Sequence, residues 1–355
     1  MTFTRLSSVL CLAVGLLTAQ EATWVAPVVT AIEQQILRDR IPGLSCVVGV
    51  MGELPFRRGF GLADIENDVA ATAQTVYRLG SISKPVTAVL ALQLAEARQL
   101  DLDADVTLLV PTWPKKQWPV TTRQLLAHLG GVRHYRGEAE STLHYTTQTE
   151  SLARFAADAL LHEPGTAYHY STYGFNLIAA VVEATTKQPF AAVVKERIAV
   201  PCAALTLQDD DVRRLIRGRA QGYVRGDDGL RNSELMDGSY KLGGGGLCAS
   251  AEDLVRFAQA LLDGRLLQPA TLAQMWTRQR TKDGKEIEYA IGCRVAMENE
   301  RLVVSHGGAQ SRVSTMLYVL PNEGVVVVLL CNLERVRLQP LAKQIAELVS
   351  PPGKK

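Results

Sequence analysis

Ser81 and Lys84 are the residues of this sequence whose types and spacing most directly suggest chemistry. They stand three positions apart in YRLGSISKPVTAV, residues 77–89, where an apolar pattern with helical spacing begins. A lysine one helical turn after a serine can take its proton, and a helix N-terminus offers a backbone N–H and partial positive charge to an oxyanion. The pair therefore indicates a nucleophilic serine with its base.

A structural interpretation competes with this one, since a Ser-x-x-Lys match arises by chance about once in a chain of this length. In that interpretation Ser81 only caps a helix and Lys84 is a solvated residue of the first turn. Two further segments favour chemistry. PGTAYHYSTYGF, residues 164–175, places Tyr170 between a Pro-Gly turn and a helix, and VVSHGGAQSRVSTMLYVLP, residues 303–321, predicts a strand, a glycine pair and another strand.

In this order and approximate spacing, the three segments resemble the serine β-lactamase and penicillin-binding protein superfamily. The resemblance is closest to its β-lactamase-like hydrolase branch, and within that branch to the mitochondrial serine β-lactamase-like proteases. The resemblance covers nearly the whole chain apart from its first residues. The supporting stretches are LDLDADV (100–106), VTTRQLLAHLGGVRHY (120–135), DGSYKLGGGGLCASAEDLVRF (237–257) and LLCNLERV (329–336).

The resemblance implies an acyl-transfer mechanism. Ser81 would attack a carbonyl to form an acyl-enzyme, which water then resolves. Lys84 would hold the serine and its proton network, and Tyr170, which fits the family's register better than its neighbour Tyr168, would act as general base and acid. The backbone N–H groups of Ser81 and Ala309 would form the oxyanion hole.

Two positions depart from the family's lactamase pattern. Where many relatives carry Tyr-x-Asn, this chain has Tyr170-Ser171-Thr172, so Thr172 replaces the amide that grips a substrate's acylamino group. Where Lys-Thr-Gly is usual in β-lactamases, it has His306-Gly307-Gly308, a variant that resembles the esterase and protease relatives. An imidazole with an ordinary pKa of about 6.5 can donate one hydrogen bond to a substrate carboxylate but offers little standing charge.

The leading hypothesis is an exported serine hydrolase that cleaves a peptide, amide or ester bond through an acyl-enzyme on Ser81. We expect penicillins and cephalosporins to be poor substrates, and we expect kcat/KM for carboxylate-bearing substrates to rise as the pH falls toward the pKa of His306. Two alternatives stay open. One is a true β-lactamase or D-amino-acid peptidase, and the other is a binding or self-assembling protein that retains the fold.

The composition limits the partners of the protein. The chain has 355 residues, 47% of them hydrophobic and 21% charged, which suits one large two-lobed unit. With a net charge of +2 and no run of like charges, nucleic acid is not an expected partner. The histidines form no metal-binding motif, so no metal or other cofactor is expected. The expected partner is a small-molecule or peptide substrate, and oligomerisation is left open.

The first residues, MTFTRLSSVLCLAVGLLTAQ, predict an export signal over residues 1–20. Arg5 precedes an apolar stretch that ends near Leu17, shorter than the ~20 residues that span a bilayer, so a retained anchor is the weaker alternative. Cleavage near Ala19 would leave a soluble periplasmic or secreted protein with a hydrolase domain over residues 24–350 and no stable membrane span. The cysteines that remain are expected to be small buried residues.

Strands are predicted at both ends of the chain. Two runs that flank a turn predict an N-terminal hairpin, and four β-rich runs follow in the C-terminal third: residues 44–50, 56–64, 289–295, 301–306, 312–320 and 325–332. The unbroken apolar run from Val325 to Leu330 predicts a central strand that is covered on both faces.

Helices are predicted between these ends, and the serine, the tyrosine and their neighbours lie at their starts. The patterns begin after Lys84, after Thr121, near Thr172 and after Ser250. The fold class is therefore α+β of the β-lactamase/transpeptidase-like type: an antiparallel sheet built from both termini and flanked by helices, with an inserted, mainly helical lobe.

Overall fold

The computed structural model describes residues 22–137 and 142–351, with strands toward both ends of the chain and most helices between them. The strands are β1 Gly43–Val50, β2 Glu53–Asp64, β3 Val69–Ala70, β4 Val76–Arg78, β5 Gln208–Asp209, β6 Tyr223–Gly226, β7 Gly229–Asn232, β8 Leu247–Ser250, β9 Arg294–Glu298, β10 Arg301–Gln310, β11 Val313–Leu320 and β12 Val325–Cys331. The α-helices are α1 Val25–Asp39, α2 Ser83–Glu96, α3 Thr122–Leu126, α4 Gln148–Ser151, α5 Thr172–Thr186, α6 Phe190–Val194, α7 Leu242–Gly245, α8 Ala251–Leu262, α9 Pro269–Met275 and α10 Gln339–Val349. The predicted α+β class is confirmed.

The main sheet has seven antiparallel strands in the order β3-β2-β1-β12-β11-β10-β9. The N-terminal hairpin β1–β2 joins the C-terminal strands through β12, whose residue Val328 is paired with Val47 of β1 and Leu317 of β11. Every residue of β12 is buried. The predicted central strand with two covered faces is therefore confirmed.

Alternate side chains of β12 serve two different cores because successive residues of a strand point to opposite faces. Val326, Val328 and Leu330 belong to the larger core, shared with the helical lobe and with α8. Val325 and Leu329 belong to the smaller core, which is covered by α1 and α10. The sheet is thus sandwiched between a terminal helix pair and the lobe that carries the candidate chemistry.

The helix starts follow the capping residues of the sequence. At α3, Thr121 and Gln124 form the reciprocal hydrogen bonds of a capping box, and at α8 the Ser250 side chain accepts from Asp253 N. One strand boundary was wrong. The strand predicted over residues 289–295 begins only at Arg294, because Gly292 turns the chain with a φ of 74°.

Among the described residues, no single helix is long and apolar enough to cross a membrane, although Thr172–Thr186 and Phe190–Ala199, bent by 80°, meet the length and composition criteria as a pair. The first of these helices is largely buried inside the helical lobe. The predicted export signal, residues 1–20, lies outside the described residues.

Candidate active site

Ser81 lies in a one-turn 3₁₀ segment, Gly80–Ile82, that leads directly into α2. Its side chain is partly exposed, whereas the helix behind it is mostly buried. The Ser81 hydroxyl makes no capping hydrogen bond to α2 and instead lies 2.9 Å from Lys84 Nζ and 2.9 Å from the Tyr170 hydroxyl. The alternative interpretation, a helix cap beside a solvated lysine, is therefore wrong.

The Lys84 side chain is fully buried, and its amine contacts three polar atoms. Nζ lies 2.9 Å from Ser81 Oγ, 2.7 Å from the Gly244 carbonyl oxygen and 3.3 Å from Thr172 Oγ1. Burial, with the nearby charge of Lys241, holds the pKa of Lys84 well below its usual value. A neutral amine has two N–H donors and one lone pair, so donation to Gly244 and Thr172 leaves the lone pair for the Ser81 proton.

Tyr170 approaches Ser81 from the loop that precedes α5. Its ring packs against His128, with ring centroids 4.3 Å apart, and its hydroxyl donates to Ser81 Oγ. Burial raises the pKa of Tyr170 well above its usual value, so the phenol is protonated. Tyr168 lies nearby, but its hydroxyl has no hydrogen-bond partner among the described residues. The structure thus brings Tyr170, rather than Tyr168, to Ser81.

The glycine run at residues 243–246 packs close to the site. A Cβ atom on Gly244 would lie 2.4 Å from Thr172 Cγ2 and 2.8 Å from the Thr172 carbonyl oxygen. The absence of that atom lets α7 approach α5 closely enough for the Gly244 carbonyl to accept from Lys84. No sequence pattern marks this carbonyl as the acceptor that holds the lysine.

Strand β10 lies directly against the turn that carries Ser81. A Cβ atom on Gly80, whose φ is 53°, would lie 3.1 Å from the backbone nitrogen of Ala309, and one on Gly308 would lie 2.1 Å from the Leu79 carbonyl oxygen. Only glycine permits this approach at both positions. The expected pair of oxyanion donors, Ser81 and Ala309, therefore lies on two adjoining backbone segments.

His306 lines the cleft but does not behave as its sequence position suggested. Nδ1 lies 2.7 Å from the Gly307 carbonyl oxygen, which can only accept, so Nε2 accepts from the Tyr289 hydroxyl at 3.0 Å. Burial is the main cause that lowers the pKa of His306 to about 3, and a proton on Lys84 would oppose a second positive charge there. The expected titration near its ordinary pKa is therefore wrong, as is the expected hydrogen bond to a substrate carboxylate.

Sequence reasoning missed several supporting residues because their partners are distant in the chain. Lys241 is buried near Lys84, and its Nζ lies 3.4 Å from Met236 Sδ. His128 Nδ1 accepts from the backbone N–H of Ser171, which fixes the loop between Tyr170 and α5. The histidines of the sequence form no metal-binding motif. Histidines also serve as buried hydrogen-bond acceptors, and no sequence pattern marks that role.

Ser81, Tyr170 and His306 line one cleft of about 730 Å³ between the sheet and the helical lobe, and the buried Lys84 lies behind Ser81. Ser81, Tyr170 and Thr172 lie on its helical side, and the strand residues from Ser305 to Gln310 form the opposite wall. The cleft thus places a serine hydroxyl and a phenol where a substrate carbonyl can enter, with the Lys84 amine in contact with that serine.

The family model described as Beta-lactamase matches residues 29–350, and the chain belongs to that family. The predicted membership of the serine β-lactamase and penicillin-binding protein superfamily is confirmed. The chain is 28% identical to the mitochondrial serine beta-lactamase-like protein LACTB of Homo sapiens, over 86% of this chain and 76% of that protein. It is also 28% identical to Esterase EstB of Burkholderia gladioli, over 75% of this chain and 77% of that protein.

Solved structures show the same fold. EstCE1, a hydrolase with promiscuous acyltransferase activity, superposes with a TM-score of 0.78 over 92% of this chain and 98% of its own, at 22% identity. The octameric penicillin-binding protein homologue from Pyrococcus abyssi gives a TM-score of 0.79 over 92% and 77%, also at 22% identity. The β-lactamase/transpeptidase-like architecture predicted from the sequence is confirmed.

Proposed function

We propose that the protein is a serine hydrolase that cleaves an ester, amide or peptide bond through an acyl-enzyme on Ser81. One observation carries the proposal: Ser81 Oγ lies 2.9 Å from both the buried Lys84 amine and the Tyr170 hydroxyl. A serine in contact with a base and an acid has the arrangement that nucleophilic catalysis requires.

Acylation begins when the Ser81 hydroxyl gives its proton to the neutral Lys84 amine and Oγ attacks the substrate carbonyl carbon. The carbonyl oxygen becomes an oxyanion, which the N–H groups of Ser81 and Ala309 stabilise. When the bond to the leaving group breaks, the Tyr170 hydroxyl donates its proton to that group. The proton on Lys84 then restores Tyr170, whose ring centroid lies 4.8 Å from Lys84 Nζ.

Water completes the cycle. It attacks the acyl carbonyl carbon and gives a proton to Lys84, and the acid product leaves as Ser81 Oγ takes that proton back. The family resemblance implies Tyr170 as both base and acid. The raised pKa of Tyr170 and the lowered pKa of Lys84 favour a division of roles in which Lys84 takes the first proton.

Small esters and peptides fit this cleft better than β-lactams. Thr172 stands where the acylamino-binding amide would be, and the imidazole of His306 is neutral and engaged by Gly307 and Tyr289. The relatives include an esterase and, by fold, a D-stereospecific amidohydrolase from Streptomyces. We expect simple esters to be cleaved faster than penicillins or cephalosporins. Cephalosporin hydrolysis at the rate of the best ester would contradict this preference.

A fluorophosphonate probe tests the proposal, since it labels an activated serine. We expect one adduct, located on Ser81 by peptide mass spectrometry, and neither labelling nor ester turnover in Ser81→Ala. A folded, unlabelled wild-type protein, or undiminished turnover in Ser81→Ala, would reject Ser81 as the nucleophile and leave the binding or self-assembling alternative.

We also propose that residues 1–20 direct export. The basic residue, apolar stretch and small residues near Ala19 support this proposal. N-terminal sequencing of the protein recovered from its native cell tests it, and an intact N-terminus on an unexported protein would contradict it.

A further inference from the structure

Five arginines line a groove next to the catalytic cleft. Arg38 lies in α1, Arg40 follows that helix, Arg225 lies in β6, and Arg335 and Arg337 follow β12. The groove has a volume of about 810 Å³, and all five arginine side chains are exposed. We call it the arginine groove.

Little negative charge opposes these arginines. Asp39 is the acidic residue among the described residues that line the groove, and its Oδ1 lies 3.5 Å from Arg38 Nε. Arg225 is partly engaged as well, because its guanidinium donates to the Asp39 carbonyl oxygen at 3.1 and 2.7 Å.

The other three guanidinium groups are unpaired within residues 22–137 and 142–351: those of Arg40, Arg335 and Arg337. The whole chain has a net charge of only +2, so five arginines in one groove are a strong local concentration of positive charge. Since arginine stays protonated, the groove remains positive at any physiological pH.

The arginine groove is continuous with the catalytic cleft. Arg335 and Arg337 line both, and Ser81 lies in the same cleft. The acidic residue of the described cleft lining is Glu334, and one of its carboxylate oxygens already accepts from the backbone N–H of Arg312 at 3.0 Å. A substrate that extends from Ser81 along this wall therefore reaches unpaired guanidinium groups.

We propose that the arginine groove binds an oxyanion, a carboxylate or a phosphate, carried by the part of the substrate that lies away from the scissile bond. A guanidinium presents two parallel N–H donors that match either group. The cleft lining also contains Arg294 and Lys241, so the arginine groove extends a positive surface away from the scissile bond. This inference deepens the proposed function and rests on it for the identity of the reacting bond.

Matched esters test the inference. They share one acyl group and differ in a peptide tail of one to three residues that ends in glutamine amide, glutamate or phosphoserine. For wild-type protein at low salt we expect kcat/KM to be about tenfold or more higher with a charged tail, mainly through KM, because charge-assisted hydrogen bonds are worth about 1.5–3 kcal/mol. The charged tail with the larger increase in kcat/KM over the neutral tail shows whether carboxylate or phosphate is preferred. Added salt should reduce the increase for both charged tails.

The double variant Arg335→Gln/Arg337→Gln should lose this gain and retain its activity on the neutral ester. A control with the same change in charge is Arg213→Gln/Arg217→Gln, since both of these exposed arginines lie away from the cleft and groove linings. The control should keep the gain. Equal kcat/KM for all three tails in wild-type protein, or an unchanged gain in the groove variant, would overturn the inference.

A binding measurement separates this inference from the proposed function. Calorimetric titration of Ser81→Ala protein with the phosphoserine tail in an uncleavable amide analogue should show binding that Arg335→Gln/Arg337→Gln weakens by about tenfold or more. Such binding without ester turnover in wild-type protein would support the groove and reject the proposed function. Ester turnover in wild-type protein without preferential binding of the phosphoserine tail would support the proposed function and reject the arginine groove as a binding site.

Discussion

The surroundings of the Lys84 amine favour its neutral form because they lower its pKa. The amine is buried, and the positive charge of Lys241 opposes a second positive charge nearby. Each N–H has an acceptor in the Gly244 carbonyl or Thr172 Oγ1, so removing the amine from water leaves neither donor unpaired. The Ser81 hydroxyl thereby faces a base on one side and a protonated phenol on the other, and two predictions follow for single side chains.

Tyr170→Phe should lower ester turnover by about 10²- to 10⁴-fold, the range for loss of a general acid or base, because its hydroxyl lies 2.9 Å from Ser81 Oγ. The ring remains packed against His128, so the thermal unfolding midpoint should change little. Steady-state kinetics with one ester measures the effect. Tyr168→Phe is the matched control, and the larger loss in that variant would show that Tyr168 is the functional tyrosine.

Lys241→Met should shift the acidic limb of the kcat/KM profile to higher pH. The Lys241 charge lowers the pKa of Lys84, so its removal raises that pKa and leaves more Lys84 protonated at a given pH below it. The measurement is the pH dependence of kcat/KM for an uncharged ester. Lys241→Arg keeps the charge and should keep the limb in place, and a Met variant with an unshifted limb would exclude this coupling.

At the scale of elements, the site depends on how closely β10 approaches the turn before α2. Thr315 Oγ1 of the neighbouring strand β11 donates to the Leu79 carbonyl oxygen at 2.8 Å, which ties the sheet to this turn. Gly308 lies between them, and a Cβ there would come within 2.2 Å of Thr315 Oγ1. The spacing of the two backbone segments that carry the proposed oxyanion donors therefore depends on a missing side chain.

Gly308→Ala should destabilise the fold by about 1–3 kcal/mol and lower kcat by more than tenfold, because the new Cβ would push β10 away from the Ser81 turn. Chemical denaturation and ester kinetics measure the two effects. Gly307→Ala is the comparison for stability, since its Cβ would have its nearest contacts at 3.7 Å. Equal stability losses for the two variants would contradict this account of the close approach.

At the scale of the whole molecule, folding buries two imidazoles near Lys84, those of His128 and His306. Burial is the main cause that lowers the pKa of both His128 and His306, and a proton on Lys84 would lower both pKa values further. In the unfolded chain these histidines have pKa values of about 6.5. The unfolded state therefore binds more protons than the folded state once the pH falls below that value, and folding stability becomes linked to pH.

The free energy of unfolding should fall as the pH decreases from about 6.5 toward 3. A histidine with a depressed folded-state pKa stabilises the fold fully above its unfolded pKa, and His306 alone should contribute a loss of about 1.4 kcal/mol per pH unit in this window. Urea denaturation at several pH values measures the slope. His306→Gln should show a shallower slope whatever its stability at neutral pH, and an identical slope would mean that His306 does not titrate in this way.

Local sequence patterns determined much of the secondary structure of this protein. The apolar run of β12 sets a doubly buried strand, and the capping residues at Thr121 and Ser250 set helix starts, because such signals act between neighbours in the chain. The order of Ser81-Lys84, Tyr170 and His306-Gly307-Gly308 identified the superfamily and residues that the fold brings together at or directly behind one cleft.

Tertiary structure alone decided the protonation states and the charge of the cleft. The lowered pKa of His306 depends on burial and on its neighbours Lys84 and Arg294, and the lowered pKa of Lys84 depends on burial and on Lys241, which is distant in the sequence. The arginine groove joins residues from α1, β6 and the segment after β12, none of which forms a basic run. Solvation and Coulomb energies depend on distances in space, so these properties appear only when the folded chain brings distant segments together.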